Sequence, residues 1–436
     1  MTSIADICHA AAVHRSHHEH RLAVTARSRG EMADLLDAFA RGEEIAGASS
    51  RRRRFREERS EGGRLVFAFA GQGPQHPEMG RQLLASEPVF RSVMEHCDEI
   101  ARPALGFSFL ERMRQGKALD HTEVAQPALF AVQAGLASLW RSWGIIPDAV
   151  VGHSVGEIAA AWAAGALSLE EGVRVAVARG RAMEPALGRG KMAAVELPED
   201  EVRAVLDASE DIADQVCVAA VNSPAATVLA GEPAALEEIV EQLKARGVTC
   251  RILHVEYAFH SQQMEPCDQE VAKALADLRP RATAIPMIST VTGTAIDGTD
   301  LGGAYWARNV REPVRFAQAV ESLASSEVFL EIGPHPVLSV AISQTLDQST
   351  VFASLRRGRD ERETLLEALG GLWTLGLPVD WTGVFSDGGK FVRLPSYPFQ
   401  RQRYWFEAPA APDLAIPPSP GGREGVGEGG QGGEGS

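Results

Sequence analysis

Residues Asp148 to Glu157 read DAVVGHSVGE: a short apolar run, a serine between two glycines, and the first residues of an apolar stretch that continues to Ala164. The run Asp148 to Gly152 has no polar face, which is the pattern of a strand buried on both sides in a parallel sheet. Val155 to Ala164 (VGEIAAAWAA) reads as a helix. Gly152-His-Ser-Val-Gly156 is therefore a G-x-S-x-G sequence between a strand and a helix, the setting of a nucleophile elbow. The glycines suit a turn too tight for a Cβ. The helix start supplies free N–H groups and positive potential near Ser154. A helix-capping serine between packing glycines is the competing structural reading, and the flanking strand and helix favour the nucleophile.

Leu65 to Ala70 (LVFAFA) is a second buried strand feeding a glycine loop, and helical patterns follow at Met79 to Leu84, Val89 to Ile100 and Pro127 to Trp143. Strands alternating with helices predict a parallel α/β sheet. From Met192 to Val255 the texture changes. Strands at Met192 to Glu196, Val216 to Val221, Thr227 to Ala230 and Cys250 to Val255 enclose helices at Glu199 to Ala208 and Pro233 to Arg246. This βαββαβ order predicts an inserted ferredoxin-like subdomain. The larger unit resumes through Ile285 to Thr290, Pro313 to Leu323 and Val328 to Ile332.

Upstream, His20 to Thr25 is strand-like and Arg29 to Arg41 helical, too little to form a sheet alone, so this segment must dock on something else. The basic run Arg51 to Arg54 reads as a solvated linker. Beyond Trp405 the chain is Pro/Gly-rich with little to bury, which predicts a disordered tail.

A net charge of −15 on 436 residues argues against nucleic acid as a partner. No apolar run approaches the ~20 residues needed to span a bilayer, and the N-terminus lacks a secretory apolar core, which points to the cytoplasm. The five cysteines are scattered without metal-binding spacing and read as free buried thiols. The histidines at 14, 17, 18 and 20 lack an accompanying carboxylate or cysteine pattern and read as polar surface, so no metal is expected. A serine nucleophile needs a base. His254, inside an apparent strand, reads as a core histidine. His260, in the loop AFHS, lies where the inserted subdomain hands back to the larger unit, and clefts between such units are where active sites form.

Ser168-Leu-Glu-Glu171 opens a helix by a capping box, running to about Glu184. Within it Arg179 has Val175, Ala176, Ala182 and Met183 as its three- and four-residue neighbours. Arg181 can pair with Glu184 at the surface. A guanidinium on an apolar face must find an anion. Either a protein carboxylate or the carboxylate of a malonyl-type substrate would serve, the latter by a bidentate grip.

These features together resemble the acyltransferase domain of type I polyketide synthases and, more broadly, malonyl-CoA:acyl carrier protein transacylases. The motifs occur in order as FAGQGPQ (Phe69 to Gln75), GHSVGE (Gly152 to Glu157), RGRAM (Arg179 to Met183), YAFHS (Tyr257 to Ser261), WARNVREPVRF (Trp306 to Phe316), EIGPHPVL (Glu331 to Leu338) and LPSYPFQRQRYW (Leu394 to Trp405). The resemblance implies an α/β-hydrolase-like large domain with a parallel sheet and an inserted ferredoxin-like small subdomain. It makes Ser154 the nucleophile and His260 the base and acid. The Gln72 and Val155 N–H groups would form the oxyanion hole, Arg179 would bind the substrate carboxylate, and the Asn309 backbone carbonyl would orient His260. No metal or bound cofactor is implied. Coenzyme A enters as the thioester substrate, and phosphopantetheine on an acyl carrier protein is the acceptor.

The implied organisation is a partial ketosynthase-to-acyltransferase linker (1–60), the first part of the large subdomain (61–190), the ferredoxin-like subdomain (191–256) and the second part of the large subdomain (257–355). A post-acyltransferase linker (356–406) and the tail (407–436) follow. The N-terminal segment resembles the second half of that linker, which implies a piece of a larger synthase with a ketosynthase upstream. Malonyl users in this family tend to carry His and Phe at the positions of Tyr257 and Phe259; methylmalonyl users carry Tyr and Ser there, and Gln at the position of Val155. The sequence is thus mixed. Phe259, beside His260, would fill the space an α-methyl group must enter, which with Val155 favours malonyl. Two rivals stand against transfer to a carrier. One is a serine hydrolase of the α/β-hydrolase class, which has no use for Arg179; the other is a non-catalytic docking module, which would not need the full residue set.

Overall fold

Five consecutive apolar residues give Leu65–Phe69 no polar face, and all five are buried in the computed structural model, which describes residues 2–45, 48–52, 64–209, 212–326, 328–396 and 398–403. In chain order the strands are β1 (His20–Val24), β2 (Ala48–Arg52), β3 (Leu65–Phe69), β4 (Ala149–Gly152), β5 (Lys191–Val195) and β6 (Val216–Ser223). They continue with β7 (Ala226–Gly231), β8 (Cys250–Ile252), β9 (Met287–Ile288), β10 (Ala295–Ile296), β11 (Val328–Ile332) and β12 (Thr350–Ala353). The main sheet has the order β10-β9-β4-β3-β11-β12. All its pairs are parallel except β9 with β10. The helix Thr122–Ser142, buried along most of its length, and helices Gly156–Ala163 and Leu169–Met183 pack in the same core.

Between Lys191 and Ile252 the chain builds a separate antiparallel sheet of order β6-β7-β5-β8. Helices Glu199–Asp207 and Pro233–Ala245 cover it and share a second core with it through Val202, Leu206, Leu236, Ile239 and Leu243. The connectivity and order are those of a ferredoxin-like unit. It is stitched to the larger unit where Val221 N–H donates to the Val314 carbonyl and Val314 N–H to that of Ala219, both at 2.9 Å.

Several elements depart from the sequence expectation. The N-terminal segment holds two strands, β1 and β2 paired antiparallel, with Arg51 and Arg52 inside β2 instead of in a solvated linker. Backbone pairing at a sheet edge tolerates charged residues, so composition hid the strand. Strand β8 ends at Ile252, which leaves His254 exposed beyond it and not in a core. Only Met287 and Ile288 of the run 285–290 pair, because Ser289 turns the chain: its Oγ accepts from the Val291 and Thr292 N–H groups. Strand β12 and the helices Ile4–Val13, Glu265–Ala274, Gly303–Arg311 and Glu361–Thr374 are further elements that the sequence reading does not include.

The chain divides into Met1–Arg393 and Leu394–Ser436. In the second unit residues 394–396 and 398–403 form no helix or strand, and the predicted tail lies outside the described residues, as do Arg53 and Arg54. All five cysteines are free; Cys97 and Cys267 are buried and the others half-buried. No helix of the described residues is long and apolar enough to cross a membrane.

Candidate active site

Strand β4 delivers the chain to Ser154 at the carboxyl edge of the parallel sheet, where α/β folds place their sites. The turn is closed so tightly that a Cβ at Gly152 would strike the Glu157 backbone and one at Gly156 the carbonyls of Phe69 and Ala70. Ser154 itself sits at φ +53°. Among the described residues the other non-glycine residue at positive φ is His260, at +59°. Side chains avoid this region unless the surroundings enforce it, and such strain gathers at functional sites.

The two strained residues meet: His260 Nε2 lies 2.8 Å from Ser154 Oγ. On the other side of the ring, Nδ1 is 2.8 Å from the Glu312 carbonyl, which caps helix Gly303–Arg311. A carbonyl can only accept, so it places the proton on Nδ1 and leaves Nε2 free to take one from the serine. The orienting carbonyl is thus that of Glu312 and not of Asn309, as the sequence predicts. The turn of helix that ends at Arg311 aims the Asn309 carbonyl at Arg179 instead, at 3.3 Å. His260 is 5% exposed, and burial, reinforced by Arg179 and His153, holds its pKa down at about 3. It is a neutral base near pH 7.

Arg179 is 1% exposed, fixed on a helix whose capping box at Ser168 and Glu171 is present as the sequence predicts. Nη1 donates to Gln126 Oε1 at 2.9 Å, and Nη2 to Ser154 Oγ and the Asn309 carbonyl, both at 3.3 Å. Nε has no partner. Among the described residues no carboxylate lies within ion-pair distance, so the structure does not supply the protein carboxylate that a structural role would need. Burial lowers its pKa to about 10, partly offset by the negative charge of Glu157. It remains cationic at neutral pH.

Glu184 does not pair with Arg181, whose Nη1 donates to the Ala104 carbonyl. It turns inward, accepting from Thr122 Oγ1 at 3.0 Å and Tyr257 Oη at 3.4 Å, and pairing with His121. Tyr257 is buried and stacks on Phe259 with centroids 4.8 Å apart and planes 12° from parallel. A cleft of about 670 Å³ is lined by Gln72, Gln75, His121, Lys191, His254 and Tyr257, from both the large and the inserted units. Among the described residues the Gln72 and Val155 N–H groups have no protein acceptor. The N-terminal histidines stand apart from this site, His17 packing edge-on against Trp373 and Trp381. Among the described residues no group of three or more His, Cys, Asp or Glu side chains could hold a metal.

Gln126, Glu312 and Glu157 also belong to this site, beyond the residues the sequence points to. Ala160 and Ala161 follow Glu157 at three and four residues, but Ser154 and His153 precede it at the same spacing, so it lacks the fully apolar surroundings that single out Arg179. Gln126 and Glu312 act from a helix face and a backbone carbonyl, which carry no residue signature.

A family profile described as "Acyl transferase domain" matches residues 66–377. A second, "CurL-like, PKS C-terminal", matches residues 1–36. The chain is 43% identical over 425 residues to the polyketide synthase GfsA of Streptomyces halstedii, covering 94% of this chain but 6% of that protein. Among solved structures, it is similar to the acyltransferase domain from module 8 of the salinomycin polyketide synthase, with 38% identity and a TM-score of 0.81, covering 87% of this chain and 90% of that one. The acyltransferase domain of SpnD in complex with 2-(pent-4-yn-1-yl)malonyl is 29% identical with a TM-score of 0.75, covering 86% and 89% of the two chains.

Proposed function

The chain belongs to the acyl transferase domain family, in the form found in modular type I polyketide synthases, and from that premise we propose that it moves a malonyl-type unit from coenzyme A to a carrier protein through an ester on Ser154. His260 Nε2 takes the hydroxyl proton as Ser154 Oγ attacks the thioester carbonyl. The Gln72 and Val155 N–H groups receive the developing oxyanion. His260 returns the proton to the departing coenzyme A sulfur. The thiol of a carrier-bound phosphopantetheine then enters by the same steps in reverse and leaves Ser154 free. The cleft between the two units admits the pantetheine arm.

Arg179 binds the distal carboxylate of the acyl group. Phe259, backed by the stacked Tyr257, crowds the α-carbon, and malonyl is preferred to methylmalonyl. The substituted malonyl ligand of the SpnD domain supports the dicarboxylic class. The N-terminal match to a polyketide synthase profile supports a place within a larger synthase, and an upstream ketosynthase and a cytoplasmic location belong to the same proposal.

The observation that carries this reading is a buried guanidinium without a carboxylate partner, 3.3 Å from the Oγ of a serine that is itself 2.8 Å from a neutral histidine. Radiolabelled malonyl-CoA tests it. The protein should retain label, lose it to a carrier-protein thiol, and retain none as Ser154→Ala with an unchanged melting temperature. Label in Ser154→Ala would refute the nucleophile, and rapid discharge to water without a thiol would make the protein a hydrolase.

A further inference from the structure

Glu157 is fully buried in the first turn of helix Gly156–Ala163, yet it touches no cation: among the described residues it forms no ion pair. Its carboxylate is saturated by donors instead. Oε1 accepts from the N–H of Thr290 and from its Oγ1 at 3.0 Å; Oε2 accepts from Tyr305 Oη at 2.8 Å and from Asn309 Nδ2 at 2.6 Å. Asn309 carries the connection onward. The same Nδ2 lies 3.4 Å from the Ser154 carbonyl, and the Asn309 backbone carbonyl accepts from Arg179 Nη2 at 3.3 Å. A buried anion and a buried cation are therefore held one residue apart, with Asn309 between them and the nucleophile alongside.

Desolvation opposes both charges, and an ion pair would relieve it. A direct pair would, however, cover the guanidinium N–H groups that a substrate carboxylate needs. Interposing Asn309 keeps the negative charge near the arginine while no protein carboxylate occupies the guanidinium. The donor set also favours a carboxylate, above all through the Thr290 N–H and the Asn309 amide. A glutamine amide at position 157 would set its own NH₂ against donors. Where it faced Asn309, that amide would have to reverse, turning its oxygen towards the Ser154 carbonyl.

We propose that Glu157 is a positioning residue for acyl transfer, acting through Asn309 to hold Arg179 correctly placed beside Ser154 with no ligand bound. This rests on the reading of Arg179 as the carboxylate receptor, and the experiment separates the two. The ratio of malonyl to acetyl acylation rates, measured as kcat/KM for labelling of Ser154, is compared in wild type, Glu157→Gln, Arg179→Ala and the double variant. Glu157→Gln should lower the ratio about tenfold, the worth of one charge-assisted hydrogen bond. In the Arg179→Ala background it should leave the ratio unchanged, since the two act in series. An unchanged or raised ratio in Glu157→Gln, with Arg179→Ala lowering it, would overturn the proposal. A ratio unmoved by Arg179→Ala would overturn the carboxylate reading itself. Asn309→Ala, which cuts the connection but leaves Glu157 its Thr290 and Tyr305 donors, should reproduce the Glu157→Gln result. It carries the same test should Glu157→Gln fail to fold.

Discussion

If Arg179 receives the substrate carboxylate as proposed, replacing it with alanine should shift the preference from dicarboxylic to monocarboxylic acyl groups. A guanidinium offers five N–H donors. Gln126, Ser154 and Asn309 accept from it in the unliganded site, and a substrate carboxylate in a bidentate grip would take two of the N–H groups in their place. Hydrogen bonds to charged groups contribute about 1.5–3 kcal/mol each, so the pair represents roughly 3–6 kcal/mol. At 1.4 kcal/mol per decade, malonyl acylation should fall by roughly 10²–10⁴ relative to acetyl. The acetyl rate should stay level or rise, because a methyl end suits the vacated apolar space. Single-turnover labelling of Ser154 with the two donors reads both numbers at once. If the malonyl and acetyl rates fell by the same factor, the arginine would be part of the scaffold, and the reasoning from its missing carboxylate partner would be refuted.

Phe259→Ser should narrow the malonyl preference by admitting methylmalonyl, within the ~1–3 kcal/mol that one methyl group commands in a pocket; faster labelling of the native protein by methylmalonyl-CoA would show that Tyr257 governs the choice. Gly156→Ala should destabilise the fold by about 3 kcal/mol or more in urea unfolding, because its Cβ meets backbone carbonyls that cannot yield; near-native stability would disprove the close approach of helix and strand. With the His260 pKa lowered to about 3, the rate of acylation should hold level from pH 8 to below pH 6, where an ordinary histidine would already be protonated. The same shift implies that the unfolded chain binds more protons between pH 6.5 and 3. Stability from this group is thus complete above the unfolded value and is lost as pH falls through that window; a profile with its acid limb near 6.5 would contradict the burial.

The elements that set the fold were legible because their physics is local. LVFAF and DAVVG have no polar face to solvate, and the glycines around Ser154 mark a turn that excludes side chains. Arg179 stood out because a cation among apolar neighbours violates burial rules. What escaped was fixed by pairing at a distance. Strand β2 is polar and exists because β1 lies beside it. The carbonyl behind His260 belongs to Glu312 because helix Gly303–Arg311 ends there, and a three-residue shift along a helix terminus leaves no mark in composition. Tyr257 stands out in the sequence only as a specificity residue, and its tether to Glu184 spans 73 positions.

Glu361, at the head of helix Glu361–Thr374, reaches back to the catalytic body and accepts from the N–H groups of Gly80, Gln82 and Leu83 at 2.7, 2.9 and 3.1 Å. The far end of that helix holds the N-terminal two-stranded sheet: Arg21 donates to the Trp373 carbonyl at 2.7 Å, and its guanidinium lies over the Trp373 ring. One helix thus serves as a keystone between catalytic body and flank. For anyone transplanting this unit into another synthase, the useful seam lies downstream of Thr374. A cut near residue 356 would strip three amides of their acceptor and leave the two-stranded sheet without its floor, and a graft that misfolded would pass for one with the wrong substrate.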